Sequence, residues 1–195
     1  MLPQGNARRP LAEGMAAKND IHSPPGAACL RFKCWSMSSQ YCPLSFLTQA
    51  SSMPRPCILA LDLEGTLISN AASQIPRPGL NEFLIQCHAI FPRIVMYTTV
   101  SEARFRPIAE LLVDEGQAPS WFAQIEYVRW TGTTKDLVRI RGATVQQCLL
   151  VDDFEGYIHP GQRSQWVRID CFEHPYELSD RGLSRALQDI RQRLG

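Results

Sequence analysis

Lysine is scarce in this chain of 195 residues: Lys18, Lys33 and Lys135 are the only three. No block of like charge exists either. The 20 basic and 19 acidic residues leave a net charge of +1, which argues against a nucleic-acid-wrapping or membrane-surface role. No apolar run approaches the ~20 residues of a membrane span. The first twenty residues, "MLPQGNARRPLAEGMAAKND", lack the apolar core of a secretory signal. There is no G-x-S-x-G and hence no serine-hydrolase nucleophile turn. There is no C-x-x-C, and the cysteines number seven, an odd count that fits a reducing compartment better than a disulfide framework. Cytoplasm is the expected location, and the sequence leaves the oligomeric state open.

What is present changes character near residue 53. Residues 1–52 are rich in Pro, Gly, Ser, Ala and Gln without sustained period and read as a disordered tail. Cys29, Cys34 and Cys42 in this segment have no metal-ligand spacing and read as incidental. Met53 stands four residues before the first strand signal, so a natural start at Met53 is the expectation, with 53–195 as one domain.

From residue 57 apolar runs and helical stripes alternate. "CILALDLE", "RIVMYT", "AQIEYVRW", "QCLLVDD" and "QWVRIDCF" read as strands, the first, second and fourth fully buried. Between them, Leu80, Phe83, Leu84 and Cys87 fall at helical spacing, and Ser101–Glu115 predicts a helix with Ile108, Leu111 and Leu112 on its inner face. Pro107 limits the regular part of that helix to Arg104 onward. Thr134–Arg141 predicts a short helix stopped by Gly142, and Leu183, Leu187, Ile190 and Leu194 make a stripe on a last helix. Alternation of this kind indicates an α/β domain with a mostly parallel central sheet flanked by helices. Cys87 and Cys148 read as core fillers, His88 and His159 as structural or exposed side chains.

Ligands in such sheets bind at the carboxyl ends of central strands. Three strands end there in polar groups: Asp62 with Glu64, Thr98 with Thr99, and Asp152 with Asp153. Clustered carboxylates repel one another and lose hydration, so they need a cation or protons. Mg²⁺ suits oxygen donors and binds through one or two carboxylates plus a substrate phosphate. Asp62 with one of Asp152 and Asp153 could hold it, helped by the backbone near Glu64. An Asp so placed can attack phosphorus and become an aspartyl phosphate. Thr98, the amides after Asp62 and Thr98, and Lys135 at a helix N-terminus could then neutralise the phosphoryl oxygens.

These segments resemble one family. "LDLEGTL" resembles the D-x-D-G-T-[LV] motif of haloacid dehalogenase (HAD) superfamily hydrolases. "PRPGLNEFL", "YTTVSEARFRPIAELL", "TTKDLVRI" and "LLVDDFEGY" are similar, in order, to segments of the NLI-interacting-factor-like (FCP/SCP-type) phosphatases. The resemblance spans residues 57 to about 172. It separates the chain from receiver domains, which carry their paired acids first. It implies a Rossmann-like HAD core with little or no cap, since nine residues separate Thr66 from Pro76. It further implies a Mg²⁺-dependent phosphatase acting on a phosphorylated protein or small molecule. Asp62 would be nucleophile and Glu64 acid/base; Asp62, Glu64, Asp152 and Asp153 would form the metal environment, with Asp153 facing the ion. Thr98, Thr99, Lys135, Gly65 and Thr66 would surround the phosphate. Glu64 departs from the family's second Asp by one methylene. A displacement of about 1 Å can cost on the order of 100-fold in rate, so a phosphate- or phosphoprotein-binding module with weak catalysis is the competing expectation. Transfer to an acceptor other than water is a third.

Overall fold

The computed structural model describes residues 55–195. The tail, its three cysteines and Met53 lie outside the described residues. Five strands make one all-parallel sheet in the order β3-β2-β1-β4-β5. They are β1 (Ile58–Leu61), β2 (Arg93–Met96), β3 (Glu126–Tyr127), β4 (Cys148–Asp152) and β5 (Trp166–Arg168). β1 is the centre, with Ile58–Leu61 in register against Arg93–Met96 on one side and Cys148–Val151 on the other. The three strands read as fully buried are thus the three adjacent central ones. The fold is α/β with a parallel sheet, as the alternation predicts, and Rossmann-like, as the resemblance implies.

Side-chain alternation divides the core into two layers. Leu59 and Leu61 of β1, Ile94 and Met96 of β2, and Leu149 and Val151 of β4 face one side, where all three α-helices pack. These are α1 (Leu80–Ile90), α2 (Glu102–Asp114) and α3 (Gly182–Leu194). Ile58, Ala60, Val95 and Leu150 face the other side. No α-helix contributes there among the described residues. Val128, Leu137, Ile140 and Ile158, on turns and loop segments, cover it instead, with Trp166 at the start of β5.

Three local expectations need correction. The α2 helix begins at Glu102 and runs through Pro107. The proline removes only its own N–H from the helical ladder, and Phe105, Ile108, Ala109 and Leu112 still reach the core. Leu111 is 40% exposed, so it leaves the inner face and Phe105 replaces it. Thr134–Arg141 is no α-helix: only a 3₁₀ turn forms, Leu137–Arg139, capped by the Asp136 carboxylate accepting from the Val138 N–H. Lys135 precedes it in extended backbone bridged to Ile158. No helix dipole therefore acts at Lys135. The remaining candidates hold their expected places: Cys87 and Cys148 are fully buried, and His88 stacks on Trp121 with ring centroids 4.9 Å apart.

Candidate active site

β1, β2 and β4 end side by side at the carboxyl edge of the sheet, bringing Asp62, Thr98, Asp152 and Asp153 to one place. The Asp62 N–H still donates to Val151 O at 3.0 Å, so the first acid is fixed by the ladder itself. Asp152 is the last residue of β4. Its carbonyl accepts from the Trp166 indole at 2.8 Å, and its carboxylate accepts from the Phe154 N–H at 2.9 Å.

Lys135 enters from the loop between β3 and β4 and is wholly buried. Its Nζ donates to Asp62 Oδ1 at 2.5 Å and to Asp152 Oδ2. The backbone around it is pinned on both sides. The Lys135 N–H donates to Tyr157 O at 2.7 Å, and the next two residues are held by Gln162, which accepts from the Leu137 N–H and donates to Asp136. The Tyr157 ring centroid lies 5.6 Å from Nζ. Burial alone would lower the pKa of Lys135, but Asp62 and Asp152 together hold it above the usual lysine value. Burial pushes Asp62 up against the pull of Lys135, and raises Asp152 to about 6.

Asp153 is reached from the loop after β1. Thr66 Oγ1 donates to Asp153 Oδ1 at 2.9 Å. Gly65 has φ +73°, and a Cβ there would stand 2.5 Å from Asp153 Oδ2. Glycine is required at that position both for its backbone conformation and for the close approach of the carboxylate. Thr66 is buried, so its role in the structure is to fasten one motif to the other. Thr98 is buried two residues past β2, its Oγ1 accepting from the Val100 N–H at 3.3 Å, while Thr99 is exposed.

Asp62, Asp152 and Asp153 can each turn one carboxylate oxygen to within 4.8 Å of the others. Ionised, the three acids and Lys135 leave two negative charges in a mostly buried space, which a divalent cation would match. An all-oxygen donor set of this kind suits a hard ion. Glu64 is not part of that group. Its Oε1 accepts from the Ala71 N–H at 2.6 Å, so its longer side chain reaches the loop seven residues on.

The residue whose role sequence reading missed is Arg77. It belongs to the quoted "PRPG" segment, yet nothing local reveals its contacts. Only 1% exposed, it donates from Nη1 to Gly65 O, Thr66 O and Asp170 O. Its Nε and Nη2 form a two-point pair with Asp180 at 2.7 and 3.0 Å. One guanidinium thus joins the loop after β1, the segment after β5 and the entry of α3.

A search of curated proteins gave no significant match. Among solved structures, a hypothetical protein from Xanthomonas campestris aligns over 80% of this chain and 94% of its own at 12% identity, with a TM-score of 0.39. The family model for NLI interacting factor-like phosphatases matches residues 57–194. The chain belongs to the NLI interacting factor-like phosphatase family.

Proposed function

We propose that this protein is a Mg²⁺-dependent, HAD-type phosphomonoesterase that works through an aspartyl phosphate on Asp62. The observation that carries the reading is the convergence of Asp62, Lys135 and Asp152 on direct charge-assisted contacts, with Asp153 alongside, at the edge of three adjacent strands. A carboxylate held this way is oriented before any substrate arrives.

The Asp62 carboxylate attacks phosphorus and the bond to the leaving oxygen breaks. Glu64 supplies the proton that oxygen needs. A water then attacks the aspartyl phosphate, giving its proton to Glu64, and the P–O bond to Asp62 breaks to release phosphate. Lys135 and Thr98 neutralise the phosphoryl oxygens. Asp62, Asp152 and Asp153 are the residues that would hold Mg²⁺, and the ion supplies charge neutralisation and orientation of the phosphoryl group. Gly65 and Thr66 keep Asp153 in place for that task. A small loop, bridged at Glu64–Ile68 and Ile68–Pro76, is all that stands between Thr66 and Arg77. With no separate lid there, a phosphate carried on a protein is an accessible substrate, and a small phosphomonoester is equally open to the site.

One observation favours the competing reading, a phosphate-binding module with weak catalysis. Glu64, the proposed proton shuttle, spends one oxygen on the Ala71 N–H. Both readings are tested with the full chain, Mg²⁺ and an aryl phosphate. Turnover well above that of Asp62→Asn, abolished by EDTA and restored by Mg²⁺, is the expected result. Wild-type turnover no higher than Asp62→Asn overturns the enzyme reading. Activity gained only in Glu64→Asp identifies the natural protein as the binding module.

A further inference from the structure

The thinly covered side of the sheet carries an excess of positive charge beside the proposed site. Five basic residues, Arg8, Arg9, Lys18, Arg31 and Lys33, and two acids, Glu13 and Asp20, precede residue 55, leaving 15 basic and 17 acidic residues for 55–195. The described part is therefore slightly acidic as a whole. Against that background, a groove of about 530 Å³ along β3 and the 3₁₀ turn is lined by Arg129, Arg139 and Arg141. All three are exposed, and among the described residues none makes a side-chain hydrogen bond or ion pair. The groove's one acid, Glu126, is already matched by Arg93 at 2.6 Å.

This groove continues toward the phosphoryl site. A second hollow of about 430 Å³ shares Tyr127 and Arg129 with it and extends to Trp130 and to Thr99, the neighbour of Thr98. The acid here, Glu102, is likewise paired, with Arg106 at 2.6 Å. Arg139 and Arg141 thus lie at the far end of a trough, Arg129 lies where its two hollows meet, and its near end reaches Thr99, next in sequence to the buried Thr98. β3 is also the outermost strand of the sheet, so extended chain can lie against it. Each hollow has the size of a drug-like ligand's pocket. Two in series suit an extended segment better than a single phosphate-bearing headgroup.

We propose that the trough lined by Arg129, Arg139 and Arg141 docks an acidic segment of a phosphorylated protein, holding carboxylates several residues away from the phosphate. This rests on the phosphatase reading and adds the substrate's flanking chemistry. The chain's own first 54 residues, with five basic and two acidic side chains, carry the opposite net charge to the occupant proposed. Each arginine pairs with an acidic side chain at a solvated rim, so the trough selects by charge and is weakened by salt.

The test uses the full chain carrying Asp62→Asn, so that bound peptide is not consumed. Two fluorescein-labelled phosphoserine peptides are compared by anisotropy, one flanked by Asp and Glu, the other by Ser and Ala. The acidic peptide is expected to bind about tenfold more tightly, the equivalent of roughly 1.4 kcal/mol. That preference should fall to within about twofold when Arg129→Gln, Arg139→Gln and Arg141→Gln are combined. In the chain with Asp62 intact, the same three changes should leave aryl-phosphate kcat/KM within about twofold, showing that the fold and site persist. Equal affinity for the two peptides overturns the proposal, as does an acidic preference that survives the triple change. A single-stranded RNA that displaces the acidic peptide and binds more tightly overturns it in favour of a polynucleotide site. Absent aryl-phosphate turnover in wild type would defeat the phosphatase reading alone, because the anisotropy comparison does not need catalysis.

Discussion

At the scale of single residues, Glu64 carries the most consequence. Its sequence position marks it as the one departure from the family's acidic pair, and the structure gives the departure a physical use: the added methylene lets the carboxylate reach the Ala71 N–H at 2.6 Å. Positioning and proton transfer are separable there. Glu64→Gln keeps a carbonyl oxygen to accept from Ala71 but has no proton to exchange at neutral pH. Turnover of an aryl phosphate should fall by about 10²–10⁴-fold while the melting temperature stays within ~2 °C, a shift of at most about 1 kcal/mol. Retention of more than a tenth of wild-type kcat would remove Glu64 from the acid/base role and leave it as a loop anchor. Lys135 gives the complementary lesson. Its rarity singles it out in the sequence, and it is wholly buried between two carboxylates. The helix N-terminus that its sequence context suggests does not form; the two acids offset the cost of its burial instead.

At the scale of elements, the central sheet is legible in the sequence because fully buried strands announce themselves as short apolar runs, and because three of them end in acids or threonines. The segment around Lys135 is not legible. Leu137 and Ile140 have the spacing of one helical turn, but the side-chain cap at Asp136 and the bond from Gln162 hold it as a single 3₁₀ turn. The Arg77 clamp is hidden for another reason: its partner Asp180 lies 103 residues away, and no local pattern encodes such a pair. The pair makes the entry of α3 part of the site's support. Arg77 holds the Asp180 carboxyl below its ordinary 3.8, assisted by the Gly182 N–H. A depressed carboxylate contributes stability that is fully present above its unfolded pKa and is lost as pH falls through the folded one. Asp180→Asn should therefore cost about 2 kcal/mol in urea unfolding at pH 7. That is somewhat less than for a fully buried pair, because the Asp180 side chain is 18% exposed. The gap between variant and wild type should close as pH is lowered below about 4. A difference that stays constant from pH 7 to pH 3 would show that Arg77 gains nothing from the charge on Asp180.

At the scale of the whole molecule, the elements that build the site begin late in the chain. The family match starts at residue 57, β1 starts at Ile58, and the first described ladder contact beyond it is the Cys57 N–H to Gln147 O at 2.9 Å. Two core layers, the Lys135–Asp62–Asp152 contacts and the Arg77 clamp are all found among the described residues. Composition changes at the same point: the segment before Met53 has neither the apolar period nor the charge balance of residues 57–195. A chain starting at Met53 should consequently unfold in a single cooperative transition, with a melting temperature within ~3 °C of the full chain, a shift of about 1 kcal/mol for a domain of this size. Its aryl-phosphate kcat/KM should stay within about twofold. The same truncation sharpens the docking proposal, because removing five basic and two acidic residues leaves the three groove arginines as they were. Preference for the acidic phosphopeptide should therefore survive it. A truncated chain that loses cooperative unfolding would place part of the core before Met53. One that folds but loses the acidic preference would move substrate docking from the Arg129–Arg141 trough to the basic N-terminal segment.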